Sequence, residues 1–370
     1  MTERVLLTGA TGFVGSFLLK TLLTATDADV VCLVRAPDPA AGWRRLGEGL
    51  AWDAEPLPSR RITIVTGDLT RDRMGLHAPT FDALSRSVDL VLHAAADANH
   101  AAGFARLEAA NVAGTRAALH LADAAGARFH LLSSLAVFDA CGRTAPVDED
   151  TALDRLPVPE GGYGQSKRAA ERLTAQAFSA GLSGAIHRLG RISGDADSGL
   201  CQRNDGLWML IRAGLRFGAL PDVDVRIDLT PVDFAARAIV ALSQAAPART
   251  PHTFHLHNPR PADMADVARA ASRLGRTVTL VPVEQWRQIL TTAGRREAAD
   301  RMLMLIARLV DDTLGTRMPP VDSTRTRDRL GALGLVCPPL DDALLDRYFA
   351  YFTRTGFLPA DTPALSGTVR

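Results

Sequence analysis

Unbroken apolar runs, not alternating ones, recur along the first part of the chain: VLLT (5–8), VVCLV (30–34), ITIVT (62–66), LVLHA (90–94) and FHLLS (129–133). A strand with one wet face alternates apolar and polar side chains, whereas a strand covered on both faces does not. The runs therefore predict a parallel sheet buried between two helix layers. Helical segments at Val14–Thr24 and Ala105–Ala124 separate them, giving the β-α-β-α rhythm of an α/β, doubly wound parallel sheet. AIHRLGRISG (185–194) and TFHLHN (253–258) continue the rhythm. Pro259 and Pro261 then break it, and helix-like segments follow at Ala262–Leu274, Glu284–Thr292 and Arg296–Leu314. The expected division is a main domain of 1–194 and 231–258 and a smaller, mainly helical substrate subdomain of 195–230 and 259–356. Residues 357–370, small and polar toward the end, are expected to form a tail.

Composition narrows the class. A hydrophobic share of 47% with 22% charged residues is ordinary for a soluble globular protein, and a net charge of +1 gives no basis for binding nucleic acid. No apolar run approaches bilayer-spanning length, so no membrane association is expected. Cys32, Cys141, Cys201 and Cys337 lie far apart without a C-x-x-C pair, which predicts neither a metal site nor a disulfide framework. The chain enters strand-like sequence by Val5 without the pattern of a secretory leader, so a cytoplasmic location is expected.

The candidate chemistry stands at the ends of the runs. Gly9, Gly12 and Gly15 follow the first strand in G-x-x-G-x-x-G spacing, with Thr11, Phe13 and Val14 between them. Glycine lets a dinucleotide pyrophosphate approach the backbone, and the N-terminus of the following helix adds partial positive charge. At the end of the second run an NAD enzyme usually carries Asp or Glu for the ribose 2′-hydroxyl, but this chain has Arg35, a partner for a 2′-phosphate. NADPH is the expected cofactor. Arg45, in WRRL, is either a second phosphate ligand or a surface arginine. Asp68 and Leu69, after the third run, stand where such folds place side chains beside the adenine. His93, Ala94 and Ala95, after the fourth, bring small residues close to the cofactor, and Ile192 follows the sixth strand.

Tyr163 and Lys167, in YGQSK, are one helical turn apart on one face. A phenol with a reference pKa near ~10 needs a neighbouring cation to stabilise its phenolate, and Lys167 supplies one. Both residues also count toward the cofactor site. The fifth run ends in Ser133–Ser134, a source of a third catalytic hydroxyl. Cys141 has no histidine or charged group at an activating spacing, so a covalent thiolate mechanism is not favoured. His93, His130, His187, His255 and His257 lie in or beside apolar strands and read as core histidines. Asn111 reads as a brace between helix and strand.

These segments resemble the thioester reductase family, the reductive-release domains of non-ribosomal peptide synthetases and carboxylic acid reductases in the extended short-chain dehydrogenase superfamily. The matching stretches, in order, are VLLTGATGFVGSFLL, CLVRA, GDLT, VLHAAA with Asn99 behind it, NVAGT, YGQSK, RLGRISG, the pair Asn204–Asp205, and PVDFAARAIV, from Val5 to about Asn258. The resemblance implies a Rossmann-type fold, a Ser134–Tyr163–Lys167 catalytic triad and NADPH as hydride donor. Ser134 is chosen because it stands three residues before Val137 of the Val137–Phe138 pair. It also implies an acyl or peptidyl thioester on a carrier protein's phosphopantetheine arm, or acyl-CoA, reduced to an aldehyde and on to an alcohol if a second hydride is transferred. Two positions depart from the pattern: many relatives carry threonine at Ser134, and Asp97 occupies a usually apolar place. An extended short-chain dehydrogenase acting on a free carbonyl or nucleotide sugar, and a non-catalytic dinucleotide sensor, are the alternatives. Trp208, Met209 and Trp286 either line a substrate channel or belong to the core.

Overall fold

Every expected apolar run is a strand. The computed structural model describes residues 2–49, 59–139, 146–245, 252–296 and 318–358. Cys141, residues 359–370 and all but the start of the helix expected over Arg296–Leu314 lie outside them. The main sheet contains β1 (Arg4–Thr8), β2 (Asp29–Val34), β3 (Ile62–Thr66), β4 (Leu90–His93), β5 (Arg128–Ser134), β6 (Gly184–Leu189) and, after a short β7 (Ala219–Asp222) that pairs elsewhere, β8 (His252–Leu256). These seven strands are all parallel in the order β3-β2-β1-β4-β5-β6-β8. The order reverses between β1 and β4, the switch point where doubly wound sheets bind ligands beyond the carboxyl ends of their strands.

The chain divides into two units. The first comprises Met1–Ile192, Val232–Leu256 and Met318–Val336. On one face of its sheet, Leu6, Val31, Val91, Phe129, Leu131 and Ile186 pack against α3 (Ala78–Ser85), α5 (Gly114–Ala125) and α6 (Gly162–Ser179). On the other, α1 (Phe13–Ala25) and α8 (Val232–Gln244) pack on each other and on β1, β2 and β6. Covering on both faces is why the strands need no polar alternation. Between β2 and β3, α2 (Pro39–Gly47) starts at Asp38, whose side chain accepts from Ala41 N at 2.7 Å, with Pro39 at the first helical position.

One expectation is refined and another changes here. The segment 105–124 is helical throughout, but α4 (Phe104–Glu108) continues into α5 through a π-helical turn, Ala109–Ala113. Residues Met318–Val336, expected in the smaller subdomain, belong to the first unit. Val321 bridges to Val147, and α11 (Thr324–Ala332) places Thr326 Oγ1 3.0 Å from the His255 amide of β8, from which it accepts.

The second unit comprises Ser193–Pro231, His257–Arg317 and Cys337–Arg370. It contains α7 (Gly206–Phe217), α9 (Met264–Arg273), α10 (Val283–Arg296), α12 (Asp342–Arg354) and a small parallel pair that the sequence pattern does not announce, β7 with β9 (Thr279–Pro282). Asp205 caps α7 by accepting from Leu207 N and Trp208 N. Trp208 is buried against Tyr348, Phe349 and Phe352 of α12, and buried Trp286 donates from Nε1 to the Ala219 carbonyl at 3.0 Å. Both tryptophans are core; Met209 beside Trp208 is partly buried. Nor does a tail begin at 357: Phe357 and Leu358 are buried, and their amides donate to the Phe352 carbonyl. Among the described residues no helix is long and apolar enough to cross a membrane.

Candidate active site

The turn from β1 into α1 is built for a close approach of backbone to backbone. Gly9 has φ +78°, and a Cβ there would stand 2.7 Å from Ala95 N; a Cβ on Gly15 would stand 2.0 Å from the Gly9 carbonyl oxygen. Gly12 N donates to that same oxygen at 2.9 Å, and Gly12 begins α1 without a side-chain cap. The first-turn amides of Phe13, Val14 and Gly15 thus follow a glycine and have no capping side chain, an arrangement suited to a pyrophosphate. Thr11, Phe13 and Val14 are partly buried beside it.

Ala94 and Ala95 are held against this turn from below. The Ala95 amide donates to Thr8 Oγ1 at 3.2 Å, and Thr8 Oγ1 lies 2.9 Å from His93 Nδ1. Thr115 Oγ1 donates to the Asn111 carbonyl at 2.7 Å, so it accepts from His93 Nε2 at 3.2 Å, which leaves Nδ1 to accept from Thr8. Burial, with the charge of Lys167 adding, pulls His93 down to about 3. Its ring is neutral and fully engaged inside the sheet. His93, expected from the sequence at the cofactor site, has both ring nitrogens engaged by Thr8 and Thr115, and through Thr8 it holds the Ala94–Ala95 loop against the glycine turn.

Arg35 and Arg45 are exposed beyond β2, and Arg45 Nη1 donates to the Arg35 carbonyl, which ties α2 to the strand end. Asp68 accepts from Thr70 N at 3.0 Å and Thr70 Oγ1 at 2.7 Å. These bonds, with the charges of Arg35 and Arg71 adding, hold its carboxyl below the usual range. Leu69 is partly buried and packs on the core beside Gly114. Ile192, partly buried, ends the first of the three stretches that make up the first unit.

Ser134 ends β5 and turns into a 3₁₀ turn, Leu135–Phe138, where its Oγ accepts from Ala136 N at 3.1 Å. Its hydroxyl is also hydrogen-bonded to the phenol of Tyr163. Tyr163 and Lys167 lie on the first turns of α6, with Lys167 Nζ 5.9 Å from the Tyr163 ring centroid and donating to the Leu132 carbonyl at 2.8 Å. Burial pushes Tyr163 up to about 12 against the opposing bond from Ser134, and pulls Lys167 down to about 8 against the attraction of Glu171. The lowering of the phenol expected from Lys167 is not seen: burial raises Tyr163 and only the bond to Ser134 opposes it, so the phenol is protonated.

The π turn explains Asn111. It carries the buried Asn111 amide to three partners: Oδ1 accepts from Asp97 N at 2.7 Å, and Nδ2 donates to the Asp97 carbonyl at 3.0 Å and to Ser166 Oγ at 2.9 Å. Ser166 Oγ donates in turn to the Tyr163 carbonyl at 2.8 Å. The loop after β4 and the start of α6 are thereby braced together. Three neighbours of the triad are not singled out by the sequence pattern. His100 packs its ring on Tyr163 at 4.3 Å between centroids. Glu171 and Arg188 form a buried ion pair at 2.9 Å behind Lys167; a carboxylate four residues after Lys167 and an arginine interrupting an apolar strand were the available signals.

A profile for an NAD-binding family, described as male sterility protein, matches residues 7–239. The chain belongs to this family. Among relatives of this NAD-binding domain, isonitrile lipopeptide synthase of Streptomyces coeruleorubidus is 38% identical over 97% of the chain, and a linear gramicidin synthase component of Brevibacillus parabrevis is 34% identical over 96%. The chain spans only 25% and 7% of the lengths of those two proteins. The crystal structure of the terminal R domain from the myxalamid PKS-NRPS biosynthetic pathway superposes with a TM-score of 0.89 at 33% identity, covering 97% of this chain and 92% of that one. The resemblance to reductase domains of the extended short-chain dehydrogenase type is met by these relatives. The glycine turn described above fits the nicotinamide dinucleotide that the family binds.

Proposed function

We propose that this NAD-binding domain is an NADPH-dependent reductase of acyl or peptidyl thioesters carried on the phosphopantetheine arm of a carrier protein, or on coenzyme A, releasing an aldehyde. The observation that carries the reading is the convergence of Ser134, Tyr163 and Lys167 beyond the carboxyl end of β5, beside a glycine turn at the switch point of the sheet. The support for NADPH over NADH is Arg35 at the end of β2, with Arg45 fastened to its carbonyl. Gly9, Gly12 and Gly15 hold the pyrophosphate, and Lys167 holds the nicotinamide ribose. When bound, the dinucleotide supplies hydride for the thioester carbonyl carbon.

The hydroxyls of Ser134 and Tyr163 receive the carbonyl oxygen as it gains charge, and Tyr163 donates its proton to that oxygen. Lys167, charged and fixed to the Leu132 carbonyl, stabilises the phenolate left behind. Departure of the thiol from the resulting hemithioacetal yields the aldehyde, the hydroxyl proton returning to Tyr163 or to the thiolate. The relatives' roles in peptide synthesis support a carrier-bound substrate and a cytoplasmic setting.

The test compares one acyl group on a carrier protein and on N-acetylcysteamine at fixed NADPH, with products identified by mass spectrometry. Aldehyde formation with a higher kcat/KM for the carrier is expected, because the carrier adds binding remote from the reacting carbon. Equal efficiency removes the carrier from the reading. Activity on free carbonyls alone replaces the reading with that of a ketone or aldehyde reductase.

A further inference from the structure

Directly behind Lys167 the first unit buries a charge cluster that the proposed mechanism does not use. Glu171 follows Lys167 by one turn of α6, and its side chain is 3% exposed. Its Oε1 accepts from Ser133 Oγ at 2.5 Å and from Arg188 Nε at 3.1 Å; its Oε2 accepts from Arg188 Nε at 3.1 Å and Nη2 at 2.9 Å. Arg188 Nη1 lies 3.2 Å from His255 Nε2, and His255 Nδ1 lies 2.9 Å from the Asp322 carbonyl oxygen. A carbonyl only accepts, so Nδ1 carries the ring hydrogen and Nε2 accepts from Arg188; His255 is neutral. Lys167 and Glu171 also grip consecutive residues of β5, the Leu132 carbonyl and the Ser133 hydroxyl, immediately before Ser134.

The charges do not balance one to one. Arg188 stays protonated at any working pH and takes the carboxylate with two nitrogens. Lys167, the second cation, stands one helical turn from Glu171 and is attracted by the same carboxylate without forming an ion pair with it. The other titratable groups around it are Tyr163 on its own helix with His100 packed at a tilt against that ring, neutral His93 from β4, and neutral His255 beyond Arg188.

We propose that Glu171 and Arg188 are positioning residues that act on Lys167 in opposite senses, the carboxylate holding its proton in place and Arg188 competing for that carboxylate, so that the pair sets the alkaline edge of the enzyme's working range. The catalytic consequence rests on the thioester-reductase reading; the control of the charge on Lys167 does not. A purely structural ion pair would give loss of stability from either substitution with no opposed movement of the lysine.

The chain has two lysines, Lys20 and Lys167. Full-length protein labelled with lysine carrying ¹³C at Cε therefore gives one resonance from the site and one internal control. Glu171→Gln, which keeps an acceptor oxygen for Ser133 and Arg188, should move the Lys167 titration midpoint down by on the order of one pH unit. Arg188→Met should move it up by a similar amount, and Lys20 should stay in place. The alkaline limb of kcat against pH should follow in each variant. A midpoint unmoved by Glu171→Gln, or moved the same way by both substitutions, overturns the proposal; if Arg188→Met does not fold, Glu171→Gln decides alone. Midpoints that move as expected in a protein that reduces no thioester support the proposal and overturn the functional reading instead.

Discussion

Gly15→Ala is the sharpest test of the glycine turn, because the three atoms the new methyl would stand nearest are all backbone. Its Cβ would stand 2.0 Å from the Gly9 carbonyl oxygen, 2.6 Å from the Gly9 carbonyl carbon and 3.1 Å from Ala10 Cα. No side chain can swing aside, so β1 and α1 must part by more than an ångström to restore ordinary contact. Overpacking of this kind costs about 1–3 kcal/mol of stability. The larger effect is on binding. Parting the turn from the helix start displaces the amides that face a pyrophosphate, and each charge-assisted bond lost costs about 1.5–3 kcal/mol, on the order of 10- to 100-fold in Kd. Two controls separate the causes. Gly12→Ala meets the same oxygen at 3.3 Å, which a shift of a few tenths of an ångström relieves, and Gly126→Ala, at φ +62° with open space around it, imposes left-handed strain alone. NADPH titration by fluorescence with parallel thermal melts should show weakened binding and a lower melting temperature for Gly15→Ala, weakened binding at a nearly unchanged melting temperature for Gly12→Ala, whose methyl stands at the helix start where the pyrophosphate would lie, and for Gly126→Ala a lower melting temperature with unchanged affinity. Wild-type affinity and melting temperature in Gly15→Ala would refute the close-approach argument.

Tyr163→Phe should leave NADPH affinity unchanged and lower turnover by on the order of 10²-fold or more, the scale of losing a positioned acid; steady-state rates close to wild type would remove Tyr163 from the mechanism. Arg35→Ala should weaken NADPH by about 1.5–3 kcal/mol and leave NADH nearly untouched, and paired titrations giving equal losses would cancel the 2′-phosphate assignment. Burial holds His93 and His187 near 3 and His130 well below its usual range, so the unfolded chain takes up protons that the folded one refuses. Stability should therefore fall below about pH 6.5 by about 1.4 kcal/mol per pH unit for each such histidine, and a melting temperature constant from pH 7 to 5 would contradict it.

The seven main strands were legible because burial on both faces leaves an unbroken apolar run, a signal that needs no knowledge of partners. The pair β7 and β9 carries no such signal: ALPD and TLVP are four residues each and end at or beside proline. Likewise the return of Met318–Val336 to the first unit depends on contacts between residues far apart in sequence, such as Thr326 with Glu149 at 2.6 Å. Periodicity, which reports only on neighbours along the chain, could not reveal it. The π turn within the 105–124 helix is similar: helix propensity does not announce it, and it holds Asn111, whose bonds reach Asp97 and Ser166.

The site shows the same division between local and distant signals. Tyr163 and Lys167 stand out because one helical turn sets their spacing, and the glycines because a tight turn needs them. Ser133 and Ser134, by contrast, are chemically identical neighbours; the family resemblance singles out Ser134, and the pleat gives the physical reason. Ser133 shares its face with Phe129 and Leu131, both buried under the layer that holds α6, so its hydroxyl meets Glu171 from that helix. Ser134, the last residue of the strand, points the other way and is where the backbone bends into the 3₁₀ turn. The bend frees its hydroxyl to cap Ala136 and to reach Tyr163 at the helix start. One serine therefore fastens α6 to β5 while the next faces the phenol, and their roles are fixed by strand geometry before any substrate arrives.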